Sequence, residues 1–313
     1  MEDLKILLLC CSRFAFPAMQ EFVFHKQLGA VIIPSHCKEM INETEAALKG
    51  TDIPVIIVAK GDLEKKALQV ISEQNINIGF VFTFSFLIPA KVYSATTKGF
   101  YNVHPGSLPA YRGADPIFYQ IKNREPFAAV SIHIIDDGAD TGAIVLQENI
   151  RLSVDDTYGM LEEKLSYLAI KLAGTLLKII SLGFALQSKQ QDESKAHYYD
   201  IQELHELTID WKLMGADDII ALMNACNPYN KGAATRLNNK IIRLLVAGKY
   251  DIGAPDQASP GTIISIDDNR MDVAVINNEL LSISFLYIDE GFVTPSYLIR
   301  SGVRKNMMFQ NVF

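Results

Sequence analysis

The chain has 313 residues, 49% hydrophobic and 21% charged, with a formal net charge of -7 at neutral pH. These values fit a soluble globular protein with a sizeable core and suggest two domains. The acidic balance argues against a surface built mainly to hold nucleic acid, and no apolar run is long enough to span a bilayer.

Met1-Glu2-Asp3 opens acidic rather than basic, so no signal peptide is expected and the location implied is cytoplasmic. Cys10, Cys11, Cys37 and Cys226 are expected as core thiols in a reducing compartment. No histidine stands at ligand spacing from them, so no metal site is expected.

Residues 5–11 are apolar at nearly every position, as for a parallel strand covered on both faces. Residues 12–28 follow a helical pattern, with Pro17 near the first turn and Gly29 past the end, and 30–33 form a second strand. This β-α-β opening predicts a doubly wound α/β sheet. CSRFAF stands where a G-x-G-x-x-G would follow the first strand, so a dinucleotide site of the usual kind is not expected.

Residues 34–52 are polar, with Glu39, Glu43, Glu45 and Asp52 outnumbering Lys38 and Lys49. Strands are predicted at 55–58 and 78–82 and a helix at 62–74. The strand at 78–82 runs into TFSFLIP, at the end of the sheet where ligands bind in open α/β folds. Its aromatic and aliphatic residues read equally as a ligand slot or as packing under a loop.

Residues 101–148 concentrate the chemistry. Asn102 and His104 lie two apart on a short strand at 100–103 that His104-Pro105-Gly106 ends sharply. Pro105 excludes helical geometry at His104, so the imidazole is held at a strand tip. A helix is predicted at 115–122, with Pro116 at its first position. Strands at 129–135 and 143–148 should form a hairpin whose loop, DDGADTG, carries Asp140.

An amide, an imidazole and a carboxylate suit acid–base and oxyanion chemistry, with a structural His-Asp contact in a turn as the alternative. If a primary amine attacks a formyl carbon, Asn102 and an imidazolium at His104 can donate to the oxyanion while Asp140 orients the ring. No activated nucleophile is evident, because Ser107 lacks a G-x-S-x-G elbow. Direct transfer between two substrates is therefore favoured over a covalent intermediate.

A long amphipathic helix is predicted at 157–182, with Leu161, Leu165, Leu168, Leu172, Leu176 and Ile179 as core. Residues 188–206 are polar and read as a linker. A helix at 216–226 and the turn NPYNKG follow. From 233 onward, short alternating segments between Gly, Pro and Asp-Asn turns predict a small β-barrel. The expected domains are 1–187 (catalytic), 188–206 (linker) and 207–313 (barrel).

NVHPGSLPAYRGADP, followed by IDDGADTG, resembles the folate-dependent formyltransferases. TIDW at 208–211 and NPYNKGA are similar to features of members with a carboxyl-terminal barrel, so the resemblance covers nearly the whole chain. It implies a Rossmann-like formyl-donor domain, an OB-like second domain, and a catalytic triad of Asn102, His104 and Asp140. It also implies 10-formyltetrahydrofolate as co-substrate, contacted by Phe84, Phe86, Leu87, Ile88, Ile135, Asp136 and Gly138. Gly106, Ser107, Tyr111 and Arg112 are expected on the acceptor side. Gly106-Ser107 departs from the family's usual Ser-Leu after His-Pro, and NPYNKG lacks its second proline, which leaves the acceptor open.

Four acceptor readings follow from the resemblance: a small amine such as a nucleotide-linked amino sugar, initiator methionyl-tRNA, water, or none in a regulatory folate-binding module. Members that formylate tRNA resemble one another in a long basic loop after the second strand, where this chain is net acidic. Residues 207–313 hold about as many acids as bases. The small amine is preferred, with tRNA as the alternative partner, no membrane, and a homodimer left open.

Overall fold

The fold is described from a computed structural model covering residues 3–250 and 258–313, so Met1 and Glu2 of the acidic opening lie outside it. The chain divides into two compact units, one of residues 1–116, 127–151 and 162–200, the other of 117–126, 152–161 and 201–313. The polar stretch 188–206, expected as a linker, is thus split, with residues up to Asp200 held in the first unit.

The first unit opens with β1 (Ile6–Cys10), α1 (Phe16–Phe24), β2 (Leu28–Pro34), α2 (Lys38–Ala47) and β3 (Val55–Val58). It continues with α3 (Leu63–Glu73), β4 (Ile78–Phe82), α4 (Ala90–Tyr93), β5 (Phe100–His104) and the two-residue β6 (Arg112–Gly113). α5 (Pro116–Lys122) belongs to the second unit after its first residue; the first unit resumes with β7 (Phe127–Ile134), β8 (Ile144–Arg151), α6 (Tyr158–Ser181, its first turn counted in the second unit) and a second two-residue strand, β9 (Tyr198–Tyr199). The seven-stranded sheet runs β3-β2-β1-β4-β5-β7-β8. Its first five strands are parallel, and β7 and β8 form the predicted antiparallel hairpin. Helix-covered parallel strands bury both faces, and β1, β2 and β4 are buried at every position. The strand order reverses between β1 and β4, which sets a crevice at their carboxyl ends.

Two boundaries differ from expectation. Gly29 does not cap α1 but lies inside β2, because the helix has already ended at Phe24 and Lys26 takes a left-handed φ of 58°. The stretch after β2, read from sequence only as polar and net acidic, is largely helical. Met40, Ile41, Thr44 and Leu48 make a buried stripe at helical spacing that the surrounding charges conceal.

The second unit contains α7 (Ala216–Ala225), β10 (Ala233–Leu237), β11 (Lys240–Tyr250), β12 (Ile263–Ile266) and β13 (Met271–Ala274). It ends with β14 (Leu280–Ile288), β15 (Gly291–Val293) and α8 (Pro295–Arg300). The strands form one antiparallel sheet, β10-β11-β14-β13-β12, with β15 on β14. Bridges Arg236–Gln310 and Thr262–Met308 tie the last residues of the chain to both edges, which curls the sheet into the expected barrel-like form. Trp211 stacks on Phe309 at 5.4 Å, and its Nε1 donates to Thr235 Oγ1 at 2.8 Å.

Candidate active site

The site is built on the pairing of β5 with β7. Side chains alternate along a strand, so Asn102 and His104 share one face of β5. The antiparallel register sets Asn102 opposite His133 and His104 opposite Ser131, so four polar side chains meet on one face of two neighbouring strands. Ser131 carries the first layer of support. Its hydroxyl donates to Gly106 O at 2.7 Å and accepts from Leu108 N at 3.3 Å and Gln147 Nε2 at 2.8 Å. The loop that follows His104 is thereby anchored to the sheet.

Asp140 is carried to this face by the β7–β8 loop. Its φ of 57° lies in the left-handed region, which costs a non-glycine residue about 1–2 kcal/mol and recurs at functional sites. Oδ1 accepts from Asn102 Nδ2 at 2.9 Å, and Oδ2 accepts from the Gly113 N–H at 2.9 Å. His104 Nδ1 lies 3.6 Å and His133 Nε2 3.5 Å from Oδ1. The Asp140 side chain is 13% exposed. Burial works to raise its pKa, but the charge of the His104 ring and the hydrogen bond from the Gly113 N–H work against it, and the carboxyl is held well below the usual carboxylate range.

The proton positions follow from the acceptors. His104 Nε2 lies 2.6 Å from Tyr111 O, and a carbonyl only accepts, so Nε2 carries hydrogen. Any proton His104 exchanges with a substrate therefore passes through Nδ1, the edge that faces Asp140. Likewise His133 Nδ1 donates to Ile134 O at 2.9 Å. That leaves Nε2 as the acceptor for Asn102 Nδ2, 3.1 Å away.

Three of the elements in the site meet behind Asp140. Gln191 Nε2 donates to the carbonyls of Asp140 and Gly142 at 2.7 and 2.8 Å. Its Oε1 accepts from Arg112 Nε and Nη2 at 3.1 and 2.9 Å. Arg112 also bonds Glu193 through both terminal nitrogens, at 3.0 and 2.7 Å, and Tyr198 OH at 3.0 Å. Every guanidinium N–H is thus committed, and the residue is fully buried. Arg112, expected to touch the acceptor, is instead an internal strut. Two glycines admit this packing. A Cβ on Gly113, at φ 107°, would lie 2.1 Å from Tyr199 O, and one on Gly142 would lie 1.7 Å from Ile134 O.

The structure therefore brings Asn102, His104 and Asp140 into contact. Phe84, Phe86 and Ile135 pack, partly buried, against one core cluster that includes Ile88, whereas Leu87 stands apart from that cluster and is 63% exposed. Asp136 Oδ1 accepts from Thr141 Oγ1 at 2.6 Å and Gly138 N at 3.2 Å, which shapes the loop. Gly106 is packed under His104 and Tyr111, and Ser107 is half-buried. Tyr111 is buried and stacks on Tyr199 at 5.1 Å, so its contribution at the site is its carbonyl. His133, Ser131 and Gln191 did not emerge from sequence reasoning. The signal present was a pair of polar residues two apart, Ser131 and His133, on an otherwise apolar strand.

Thr83, next to this crevice, is a β-branched residue at φ 50°, bonded to Ser12 Oγ at 2.7 Å and to the Cys11 thiol. Among the described residues no group of three metal-ligating side chains comes together, and no helix is long and apolar enough to cross a membrane.

Known proteins resemble the chain at three levels. A family profile described as formyl transferase matches residues 30–173, and its C-terminal domain profile matches 203–290. The methionyl-tRNA formyltransferase of Kosmotoga olearia is 34% identical over 252 residues, 80% of this chain and 76% of that protein. The same enzyme from Dictyoglomus turgidum is 31% identical, over 82% and 80%. Among solved structures, the sugar 3N-formyl transferase WlaRD, solved with dTDP and 5-N-formyl-THF, superposes with a TM-score of 0.67 at 16% identity, over 91% of this chain and 98% of its own. HypX from Aquifex aeolicus, in complex with tetrahydrofolic acid, gives 0.66 at 13%, over 97% of this chain and 49% of its own. The low identities of those two structures speak for the fold, while the sequence matches over both units carry the family. The chain belongs to the formyl transferase family.

Proposed function

We propose that this protein transfers a formyl group from 10-formyltetrahydrofolate to the primary amine of a small molecule, such as a nucleotide-linked amino sugar. The observation that carries the reading is the buried Asp140 carboxylate, bonded to Asn102 and 3.6 Å from the one open nitrogen of His104. As the amine nitrogen bonds to the formyl carbon, the carbonyl oxygen gains charge that Asn102 Nδ2 and a proton at His104 Nδ1 can stabilise. The bond from that carbon to the folate nitrogen then breaks. The proton lost by the amine ends on the folate nitrogen, with His104 as the carrier and Asp140 holding the ring. The cluster of Phe84, Phe86, Ile88 and Ile135 supplies an apolar wall for a pterin.

The small acceptor is supported by the helix after β2. Its acids outnumber Lys38, and Glu39 and Glu43 occupy the guanidinium of Arg13, so this face offers no concentrated positive charge to phosphates. Methionyl-tRNA is the second reading, favoured by 34% identity to an enzyme of that name across both units. Incubation with 10-formyltetrahydrofolate and either a panel of dTDP-linked amino sugars or charged initiator tRNA separates the two. Release of tetrahydrofolate with a sugar and none with tRNA supports the proposal, and the reverse outcome refutes it. Release without any amine points to hydrolysis.

A further inference from the structure

His133 has no role in the triad, yet it touches two of its members. It stands directly across the strand pair from Asn102, it is 2% exposed, and its Nε2 lies 3.1 Å from Asn102 Nδ2 and 3.5 Å from Asp140 Oδ1. Its Nδ1 is tied to Ile134 O at 2.9 Å, so in the neutral ring the lone pair on Nε2 is aimed at Asn102. A register shift in the β7–β8 pairing falls between Ile132 and His133. Bulges of this kind re-aim side chains beside active sites.

An amide has two ends of similar shape and opposite hydrogen-bonding sense, and only Nδ2 can donate to an oxyanion. Asp140 alone fixes one of the two Nδ2 hydrogens, at 2.9 Å. The second would be free to swing unless something accepted it, and His133 Nε2 does. We propose that His133 is a positioning residue for formyl transfer: its Nε2 lone pair holds the second Asn102 hydrogen in place until the developing oxyanion takes it. The inference rests on the formyl-transfer reading of the Asn102–His104–Asp140 site. The groups facing His133 are Asp140, whose other neighbour is His104, and the neutral Asn102, and the role requires no change in its charge.

The test compares His133→Met, of similar volume with no comparable acceptor, with His133→Gln, whose carbonyl can accept from Asn102. His104→Ala serves as the reference for loss of chemistry. In the full-length protein His133→Met should lower kcat roughly 10- to 100-fold, as for a donor misplaced rather than deleted, with the KM for the folate donor changed less than about threefold. His133→Gln should recover to within about fivefold of wild type. A purely structural role would lower Tm without this split between Met and Gln. Wild-type kcat in His133→Met, or equal damage in both variants, overturns the proposal.

If wild type turns over no acceptor, the functional reading fails instead, and a readout independent of activity still decides this one. Two-bond 15N–1H spectra should show His133 protonated at Nδ1 alone. The Asn102 side-chain amide resonances should shift in His133→Met and return toward wild type in His133→Gln. Protonation at Nε2, or unchanged Asn102 resonances in both variants, overturns it.

Discussion

Replacing Asp140 with asparagine keeps shape and removes one acceptor, and the site has no way to absorb the change. If the new NH2 takes the Oδ2 position, it faces the Gly113 N–H, a backbone donor that cannot turn away. If it takes the Oδ1 position, it faces Asn102 Nδ2. Asn102 could then flip its amide, but its carbonyl oxygen would meet the lone pair of His133 Nε2. Either arrangement leaves a buried polar group without a partner, at a cost of roughly 1–3 kcal/mol. The charge opposite His104 Nδ1 is lost as well. Turnover in the Asp140→Asn variant should fall roughly 10²- to 10⁴-fold, the range spanned by losing an oriented acid–base group, while the donor KM moves little. The pH dependence adds a sign. The folded carboxyl sits below its usual range, so its stabilising effect is present above the unfolded value, near pH 4, and is lost as pH falls toward the folded one. The stability gap between wild type and variant should therefore stay constant from about pH 5 to 8 and narrow below about pH 4. Tetrahydrofolate release measures the rate, and thermal unfolding across pH measures the gap. A variant that turns over within threefold of wild type would show that Asp140 only ties a loop.

Other perturbations separate structure from chemistry. Arg112→Met should cost about 1–3 kcal/mol by orphaning Gln191 Oε1, yet leave acceptor KM unchanged in the folded fraction, because the guanidinium is fully buried; a specific rise in acceptor KM would restore it to the acceptor side. Gly142→Ala should destabilise by more than about 3 kcal/mol, since its Cβ would lie 1.7 Å from Ile134 O, whereas Gly174→Ala, on α6 with open space around it, should be neutral or stabilising by up to about 1 kcal/mol; thermal melts of the pair decide. Burial pushes the Cys11 thiol up to about 12 and Cys10 higher still. Iodoacetamide at pH 7.5 should therefore leave both unmodified until denaturant is added, and stoichiometric labelling of native Cys11, which is only partly buried, would contradict its raised pKa.

Asn102 and His104 were legible because a strand repeats every two residues and Pro105 ends it, so spacing alone puts both side chains on one face at a known point. Asp140 was legible only through its motif, since nothing local announces a left-handed carboxylate folding back onto a strand 38 residues earlier. His133 stayed hidden for a related reason. Its role exists only through the β5–β7 register, and a register is a property of two strands rather than of either one. The helix α2 was concealed differently. Its buried stripe of Met40, Ile41 and Thr44 is narrow, and Glu39, Glu43 and Glu45 dominate any reading by composition.

The strongest letters of the first motif carry a separate lesson about what such letters mean. Tyr-Arg-Gly at 111–113 supplies the site with a carbonyl to His104 and an N–H to Asp140, both from backbone. Its side chains face elsewhere. Tyr111 stacks on Tyr199, and Arg112 clamps Gln191 and Glu193. That clamp closes a loop of contacts: Gln191, oriented by Arg112, holds the carbonyls of Asp140 and Gly142, and so holds the loop whose carboxylate the Gly113 N–H receives. The β6–β9 pairing that aligns Arg112 with Tyr198 and Gly113 with Tyr199 completes it. A charged residue in a motif invites a reading as a ligand contact, yet here the charge is spent entirely on geometry. Acceptor specificity is therefore better sought in side chains that remain exposed beside His104, with half-buried Ser107 the first among them. Substituting Ser107 with a bulkier residue should change which amine is accepted, read on an acceptor panel, while leaving donor binding and the thermal melt untouched.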